Sequence, residues 1–126
     1  MAALFVQPVQ AHKLLILNDI HLDIAPDDFN STYSMPGQEC NYATLDLILS
    51  EAVKIEDDGS GPIEAILLVG DLNKHHLAAD IGTAIEDTNY EIMNTTMIEV
   101  ITAIKENFPN TPILPVIGNN DVVYHD

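Results

Sequence analysis

The sequence predicts an α/β fold in which three strands of a mostly parallel sheet alternate with helices. Three short apolar segments have the length of strands, and the two segments between them carry apolar residues at helical spacing. Strands and helices that alternate in this way form βαβ units with right-handed crossovers. The 126 residues are enough for one ordinary domain, so a second independent unit is not expected.

The strands are predicted at residues 13–18, 63–69 and 113–117, where each apolar segment ends in polar residues or glycine. Nearly continuous apolar segments are typical of strands that are buried on both faces of a parallel sheet. Pro112 and Pro115 lack backbone N–H donors. The third strand is therefore expected to begin at an edge or in an irregular segment.

The two helices are predicted from apolar stripes at helical spacing. The first helix ends before the turn at residues 57–62, and Pro109 lies just beyond the end of the second. Thr88-Asn89-Tyr90-Glu91 is predicted to be the capping box of the second helix. The stripe of the first helix consists of Leu45, Ile48, Leu49, Ala52 and Val53, and that of the second of Met93, Met97, Val100, Ile101, Ile104 and Phe108.

The charge composition excludes several function classes. Four lysines and no arginine face 20 acidic residues, which gives a net charge of −16. A partner that is a nucleic acid is not expected, because binding it requires clustered cations, and an anionic membrane surface is disfavoured for the same reason. The one cysteine, Cys40, rules out an internal disulfide within these residues. No apolar segment reaches the ~20 residues of an integral membrane span.

The first eleven residues are predicted to be a signal remnant or a disordered N-terminus. Val9-Gln10-Ala11 is similar to a signal-peptidase site, although a positively charged segment before it is missing. Two glycosylation sequons begin at Asn30 and Asn94. We therefore expect a glycoprotein of the secretory path, located in a lysosome or vacuole or outside the cell.

Side chains that bind metals follow all three predicted strands. Asp19 and His21 follow the first strand, Asp71 follows the second, and Asn119 follows the third. Because parallel strands place their carboxyl ends at the same edge of a sheet, we expect these side chains to meet in one pocket. Carboxylates bridge two cations, and imidazole and amide groups complete such sites. Two divalent ions together clamp a phosphate and activate a water molecule.

These motifs resemble those of the calcineurin-like metallophosphoesterase superfamily, in which D-x-H, G-D and G-N-H-D/E follow successive strands. Residues 70–75 are similar to the G-D-x-x-x-H of its acid sphingomyelinase-like and endopolyphosphatase branch, and residues 118–121 to the G-N-N-D of endopolyphosphatases. The resemblance covers the chain from Lys13 to Asp126. It implies that residues 12–126 are the N-terminal half of a phosphoesterase domain, the βαβαβ portion of a metallophosphoesterase α/β sandwich.

The resemblance also implies a role for each matching residue. Asp19 and His21 bind the first metal ion, Asp71 bridges both ions, and Asn119 binds the second. His75 contacts the substrate phosphate or its leaving group.

The protonation of the leaving group stays open in this resemblance. Asn120 stands where the common motif has a histidine that donates a proton. His75 or His125 takes over that step, or the leaving group needs little help. The family's later histidine ligands, which include a G-H-x-H pair, are not among these residues, so weak metal binding is expected.

Two function classes follow. The first is metal-dependent hydrolysis of phosphoester or phosphoanhydride bonds, endopolyphosphatase-like or sphingomyelin phosphodiesterase-like, with two divalent ions that are zinc, manganese or iron. Its substrate is a phosphate ester or a polyphosphate. The alternative is a catalytically inactive fragment or interaction module that retains the α/β fold. The sequence leaves the oligomeric state and the substrate open.

Overall fold

The structure is a computed structural model that describes residues 12–24, 33–34, 38–56, 59, 61–75 and 87–122. Its elements follow the predicted β-α-β-α-β order, which confirms the α/β fold class. A short 3-10 turn follows the last strand at Asn119–Asp121. The strands are β1 (Lys13–Asn18), β2 (Ile63–Val69) and β3 (Ile113–Val116), and the helices are α1 (Tyr42–Glu56) and α2 (Asp87–Asn107).

The sheet has the order β1-β2-β3, and both pairings are parallel. Asn18 pairs with Val69, and Val69 pairs with Val116, so the three strands end at the same level. The chain therefore leaves all three strands at one edge of the sheet, as the sequence predicts. Pro115 lies opposite Leu68 on β3, which is an edge strand of the described sheet. An edge strand accommodates proline, because a residue without an N–H cannot donate a hydrogen bond to a second neighbouring strand.

The core lies between the sheet and the two helices, which contact each other. The sheet contributes the buried side chains of Leu17, Ile63, Ile66 and Leu68. Each such side chain stabilises the fold by about 1.5–3 kcal/mol relative to full exposure. The helices contribute Leu45, Leu49, Ala52, Val100 and Ile104, and Phe108 follows directly after α2.

The prediction that the strands are buried on both faces is wrong for the described residues. Leu14, Ile16, Leu114 and Val116 are 52–57% exposed. We call these four residues the open sheet face. The strand order explains it: both crossovers step in the same direction, and two right-handed crossovers of that kind place both helices on one face.

The ends and faces of the helices differ in detail from the predictions. Asn41 caps α1, because its side-chain oxygen accepts a hydrogen bond from the N–H of Thr44 at 2.9 Å. The α2 helix begins at Asp87, so Thr88 lies inside the helix and not before it, where the prediction puts it. Ile48 and Ile101 are exposed at the rims of their stripes instead of buried.

Some predictions fall outside the described residues, namely residues 1–11, the sequon at Asn30 and the proposed proton donor His125. Asn94 of the second sequon is exposed on α2. Among the described helices, none combines the length and the apolar character needed to cross a membrane.

Candidate metal centre

The segments that follow β1 and β2 run side by side beyond the strand ends. The N–H of His21 donates to the carbonyl of Asp71 at 2.9 Å, and the N–H of Leu22 donates to the carbonyl of Leu72 at 2.8 Å. These backbone hydrogen bonds fix the two segments relative to each other. They bring residues that are 50 positions apart in sequence into one layer.

Three of the residues predicted as metal ligands meet at this edge. Asp19, His21 and Asp71 each offer one ligand atom, and these atoms lie within 4.8 Å of one another. His21 and Asp71 are half-buried, whereas Asp19 is exposed. Small side-chain movements would bring these atoms to the bonds of about 2.0–2.2 Å that ligands make to a shared cation. We refer to these three residues as the metal cluster.

All three residues of the metal cluster have a strained backbone. Asp19, His21 and Asp71 have φ angles of 50°, 47° and 51°, and no other non-glycine residue in the described part of the chain has a positive φ. This left-handed conformation costs about 1–3 kcal/mol for a residue with a side chain. Because strain of this kind persists mainly at functional sites, its restriction to the cluster indicates a site under functional constraint.

The imidazole of His21 is oriented as in a metal ligand. Its Nδ1 lies 3.0 Å from the carbonyl oxygen of Asn73. A carbonyl only accepts hydrogen bonds, so Nδ1 carries the proton and the lone pair is on Nε2. Histidines that bind metals are commonly held by such a bond through their other ring nitrogen.

The carboxylates of the cluster are also held by neighbours. The side-chain amide of Asn18 donates to Asp19, and the backbone N–H of Asn120 donates to Oδ1 of Asp71 at 2.9 Å. A carboxylate has about four acceptor positions, so one hydrogen bond leaves lone pairs for a cation. Asn120 therefore contacts the cluster through its backbone. Asn119 lies beside it, exposed at the start of the 3-10 turn.

Two glycines allow the segments after β2 and β3 to approach closely. A Cβ on Gly70 would overlap the backbone of Gly118, and a Cβ on Gly118 would overlap the carboxylate and backbone nitrogen of Asp71. Gly70 also has a φ of 57°, which an L side chain rarely adopts. The glycines are thus needed for the contact between the third segment and Asp71.

Asp121 connects the segments that follow β2 and β3, and its side chain is buried. Its Oδ1 accepts hydrogen bonds from the N–H of Leu72 at 2.8 Å and from the N–H and side chain of Asn73, both at 3.1 Å. Its Oδ2 accepts a bond from the N–H of Gly118 at 3.0 Å. Its side chain is therefore part of the scaffold that positions the site.

His75 lies against the metal cluster, next to a residue that the sequence did not indicate. Its ring stacks on that of His21 with centroids 3.9 Å apart and planes at 22°. Glu39 Oε1 lies 2.9 Å from Nδ1 of His75, and Glu39 forms a second group of possible ligands with both histidines. Glu39 is 36 residues away from His75 in sequence and belongs to no motif spacing, so only the fold reveals it.

A cavity of about 640 Å³ opens beside these side chains. Its lining includes Asp19, His21, Glu39 and His75, together with apolar residues of β1 and α1. Cys40 lines it too, but burial raises the pKa of its thiol to about 11. The thiol is therefore protonated at neutral pH and is a poor metal ligand.

No family model matches this chain. A curated protein is similar to part of it in sequence. The chain is 33% identical over 93 residues to an endopolyphosphatase of Schizosaccharomyces pombe. The aligned part is 72% of this chain but 15% of the relative, so the chain corresponds to a small part of that protein's length. The similarity indicates a metallophosphoesterase-like relationship and does not single out a branch.

Proposed function

We propose that the metal cluster belongs to a hydrolase that cleaves phosphoester or phosphoanhydride bonds. One observation carries this proposal. Among the described non-glycine residues, Asp19, His21 and Asp71 alone have a positive φ, and they lie close together where the parallel strands end. The similarity to an endopolyphosphatase supports the same reaction class. An endopolyphosphatase-like substrate and a sphingomyelin phosphodiesterase-like substrate both fit this class.

The donor atoms of the cluster fit divalent cations. Asp19 and His21 would hold one ion, Asp71 would bridge two ions, and Asn119 would bind the second. Carboxylate, imidazole and amide donors suit zinc, and they also accept manganese or iron. Such ions, when bound, stabilise charge on the phosphate and lower the pKa of a coordinated water molecule. The hydrogen bond that Nδ1 of His21 donates to the carbonyl of Asn73 fixes Nε2 as the ring nitrogen that would face an ion.

The remaining residues have roles on the substrate side. Glu39 Oε1 contacts Nδ1 of His75, so Nε2 would make the contact with a phosphate or its leaving group. Nε2 would have to carry a proton for this contact, because the oxygens of these groups accept hydrogen bonds. Asn120 has no acidic proton, so its amide would orient an oxygen and not protonate the leaving group. Of the two histidines proposed for protonation, His75 lies among the described residues and contacts the cluster through His21.

The charge around the site makes cations necessary for binding an anionic substrate. Lys74 lies near the cluster in sequence, but its Nζ is paired with Asp23 Oδ2 at 3.2 Å, and both side chains are 17% exposed. The chain as a whole carries a net charge of −16. Long polyanions are therefore repelled unless bound metal ions offset the local charge.

Hydrolysis assays with a matched variant test this proposal. The chain is assayed with a chromogenic phosphodiester and with polyphosphate in the presence of Zn²⁺ or Mn²⁺, beside Asp71→Asn and the exposed helix variant Asp46→Asn. We expect turnover that is slow, because metal binding is expected to be weak, and that is abolished in Asp71→Asn and unchanged in Asp46→Asn. If Asp71→Asn hydrolyses a substrate as fast as the parent chain, the metal cluster takes no part in the reaction.

The alternative, an interaction module without turnover, is favoured by one observation. The open sheet face exposes two large apolar side chains on β1 and two on β3, and exposed apolar patches are typical of surfaces that contact other polypeptides. A chain that takes up no Zn²⁺ or Mn²⁺ in equilibrium dialysis, and hydrolyses neither substrate, would support this alternative over the hydrolase.

A further inference from the structure

We propose that Glu39 is a positioning residue that fixes the imidazole of His75 beside the metal cluster. Its part in turnover rests on the proposed function, whereas its effect on the orientation of the ring does not. Sequence motifs assign no role to Glu39.

The first argument is that a single oxygen of Glu39 contacts both the main chain and the side chain of His75. Glu39 Oε1 accepts a hydrogen bond from the backbone N–H of His75 at 3.3 Å and lies 2.9 Å from its Nδ1. A carboxylate acceptor at this distance favours the ring form with its proton on Nδ1. Glu39 thus restrains both the position of the residue and the rotation of its ring.

The second argument is that the other contact of the ring is itself fixed. His75 stacks on His21 at a centroid distance of 3.9 Å, and His21 is held by the carbonyl of Asn73. The two imidazoles therefore have hydrogen-bonded Nδ1 atoms and their lone pairs on Nε2. A carboxylate or carbonyl on one ring nitrogen, which sets the direction of the other, is the usual support of functional histidines.

The third argument comes from the burial of Glu39. Its side chain is 30% exposed, and its Oε2 is shielded from solvent without a hydrogen-bond partner among the described residues. Shielding a carboxylate oxygen in this way costs stability. The surface pair of Glu64 and His12 has the same kind of contact at 2.6 Å, but its side chains are 53% and 76% exposed. It therefore provides a matched control for a Glu–His pair without a functional role.

Nitrogen NMR of the histidine rings tests the positioning directly. Two-bond ¹H–¹⁵N spectra of the full chain are recorded at one fixed pH for the parent, Glu39→Ala, Glu39→Gln and Glu64→Ala. We expect the proton of His75 on Nδ1 in the parent and a redistribution toward Nε2 in Glu39→Ala. In Glu39→Gln the amide oxygen still accepts a hydrogen bond, so the His75 signals should remain closer to those of the parent.

The control and the contradicting result are defined in the same spectra. Glu64→Ala should change the signals of His12 and leave those of His75 in place. Should Glu39→Ala lose the folded backbone spectrum, Glu39→Leu takes its place, because leucine is closer to glutamate in size and has no hydrogen-bond acceptor. Ring signals of His75 that are the same in every folded Glu39 variant would overturn the proposal.

Kinetics separate this proposal from the proposed function. With a hydrolysed substrate, Glu39→Ala should lower kcat about ten-fold and leave KM and metal content unchanged, and Glu39→Gln should restore part of the rate. A loss of bound metal in Glu39→Ala would show that Glu39 is a ligand and contradict a positioning role. If the parent chain hydrolyses nothing, the proposed function fails, and the NMR result still decides whether Glu39 positions His75.

Discussion

At the scale of single residues, the site depends on side chains of two kinds. Asp19, His21 and Asp71 have strained backbones and are the proposed metal ligands. Asp121 and Glu39 are carboxylates that accept hydrogen bonds and hold other residues in place. The first kind follows predicted strands and was therefore visible in the sequence. Glu39 was not, because it lies in a loop far from His75 in sequence.

Replacing Asp121 should destabilise the fold more than replacing an exposed aspartate. Asp121→Ala leaves the N–H groups of Leu72, Asn73 and Gly118 without their acceptor in a buried setting. We expect a loss of about 3 kcal/mol in the free energy of unfolding by urea, against less than about 0.5 kcal/mol for Asp46→Ala. Equal effects of the two variants would contradict the structural role of Asp121.

The buried thiol of Cys40 should make stability fall at alkaline pH. Burial raises its pKa from 9.0 to about 11 in the folded chain. As pH rises from about 9 to about 11, the unfolded chain loses this proton and the folded chain keeps it, so the free energy of unfolding decreases. The decrease should be smaller in Cys40→Ala.

Thiol reactivity gives an independent measurement of the same property. The chain has one cysteine, so a thiol reagent reports on Cys40 alone. At pH 8 we expect slow labelling of the folded chain and fast labelling in denaturant. Labelling that is equally fast in both conditions would show that the thiol is accessible and ionised in the fold.

At the scale of elements, the strands were predicted closely and the helix ends less well. β1 and β2 have the predicted bounds, because polar residues or glycine end each apolar segment. α2 begins one residue before Thr88, which was predicted to cap it. The sequence did not fix this position, because capping residues fit several neighbouring positions equally well. The sequence placed metal-binding residues at the strand ends, but the close contact of Gly70 with Gly118 required the pairing of β2 with β3.

Gly118→Ala should disturb the metal cluster through its contact with Asp71. The new methyl group overlaps the Asp71 carboxylate, so we expect a loss of about 2 kcal/mol in stability and weaker Zn²⁺ binding. Gly59→Ala is the matched control, because a Cβ there meets nothing within 4 Å and only its φ of 81° is unfavourable. It should cost about 1 kcal/mol and leave Zn²⁺ affinity unchanged. Unchanged affinity in Gly118→Ala would contradict the close contact.

At the scale of the whole molecule, the two faces of the sheet have different environments. The helices cover one face, and Leu14, Ile16, Leu114 and Val116 form the open sheet face. Apolar composition did not distinguish the two faces, because all three strands are apolar on both sides. The distinction follows from the strand order and the hand of the crossovers, which pattern analysis does not supply.

Truncating a leucine on each face should reveal this difference. Leu68 is fully buried beneath the helices, so Leu68→Ala should lower the free energy of unfolding by about 3 kcal/mol. Leu114 is 52% exposed, and Leu114→Ala should cost less than about 1 kcal/mol. Urea unfolding of both variants measures the difference. Equal costs would mean that the open sheet face is covered in solution.

The central claim is that Asp19, His21 and Asp71 form a centre for divalent metal ions, and calorimetric titration with Zn²⁺ tests it most directly. The parent chain is compared with Asp71→Asn, which keeps an acceptor for the N–H of Asn120, and with the exposed control Asp46→Asn. We expect Asp71→Asn to bind Zn²⁺ at least about ten-fold more weakly than the parent, and Asp46→Asn to match the parent. A parent chain that binds no Zn²⁺, or an Asp71→Asn variant that binds it as tightly as the parent, would contradict the claim.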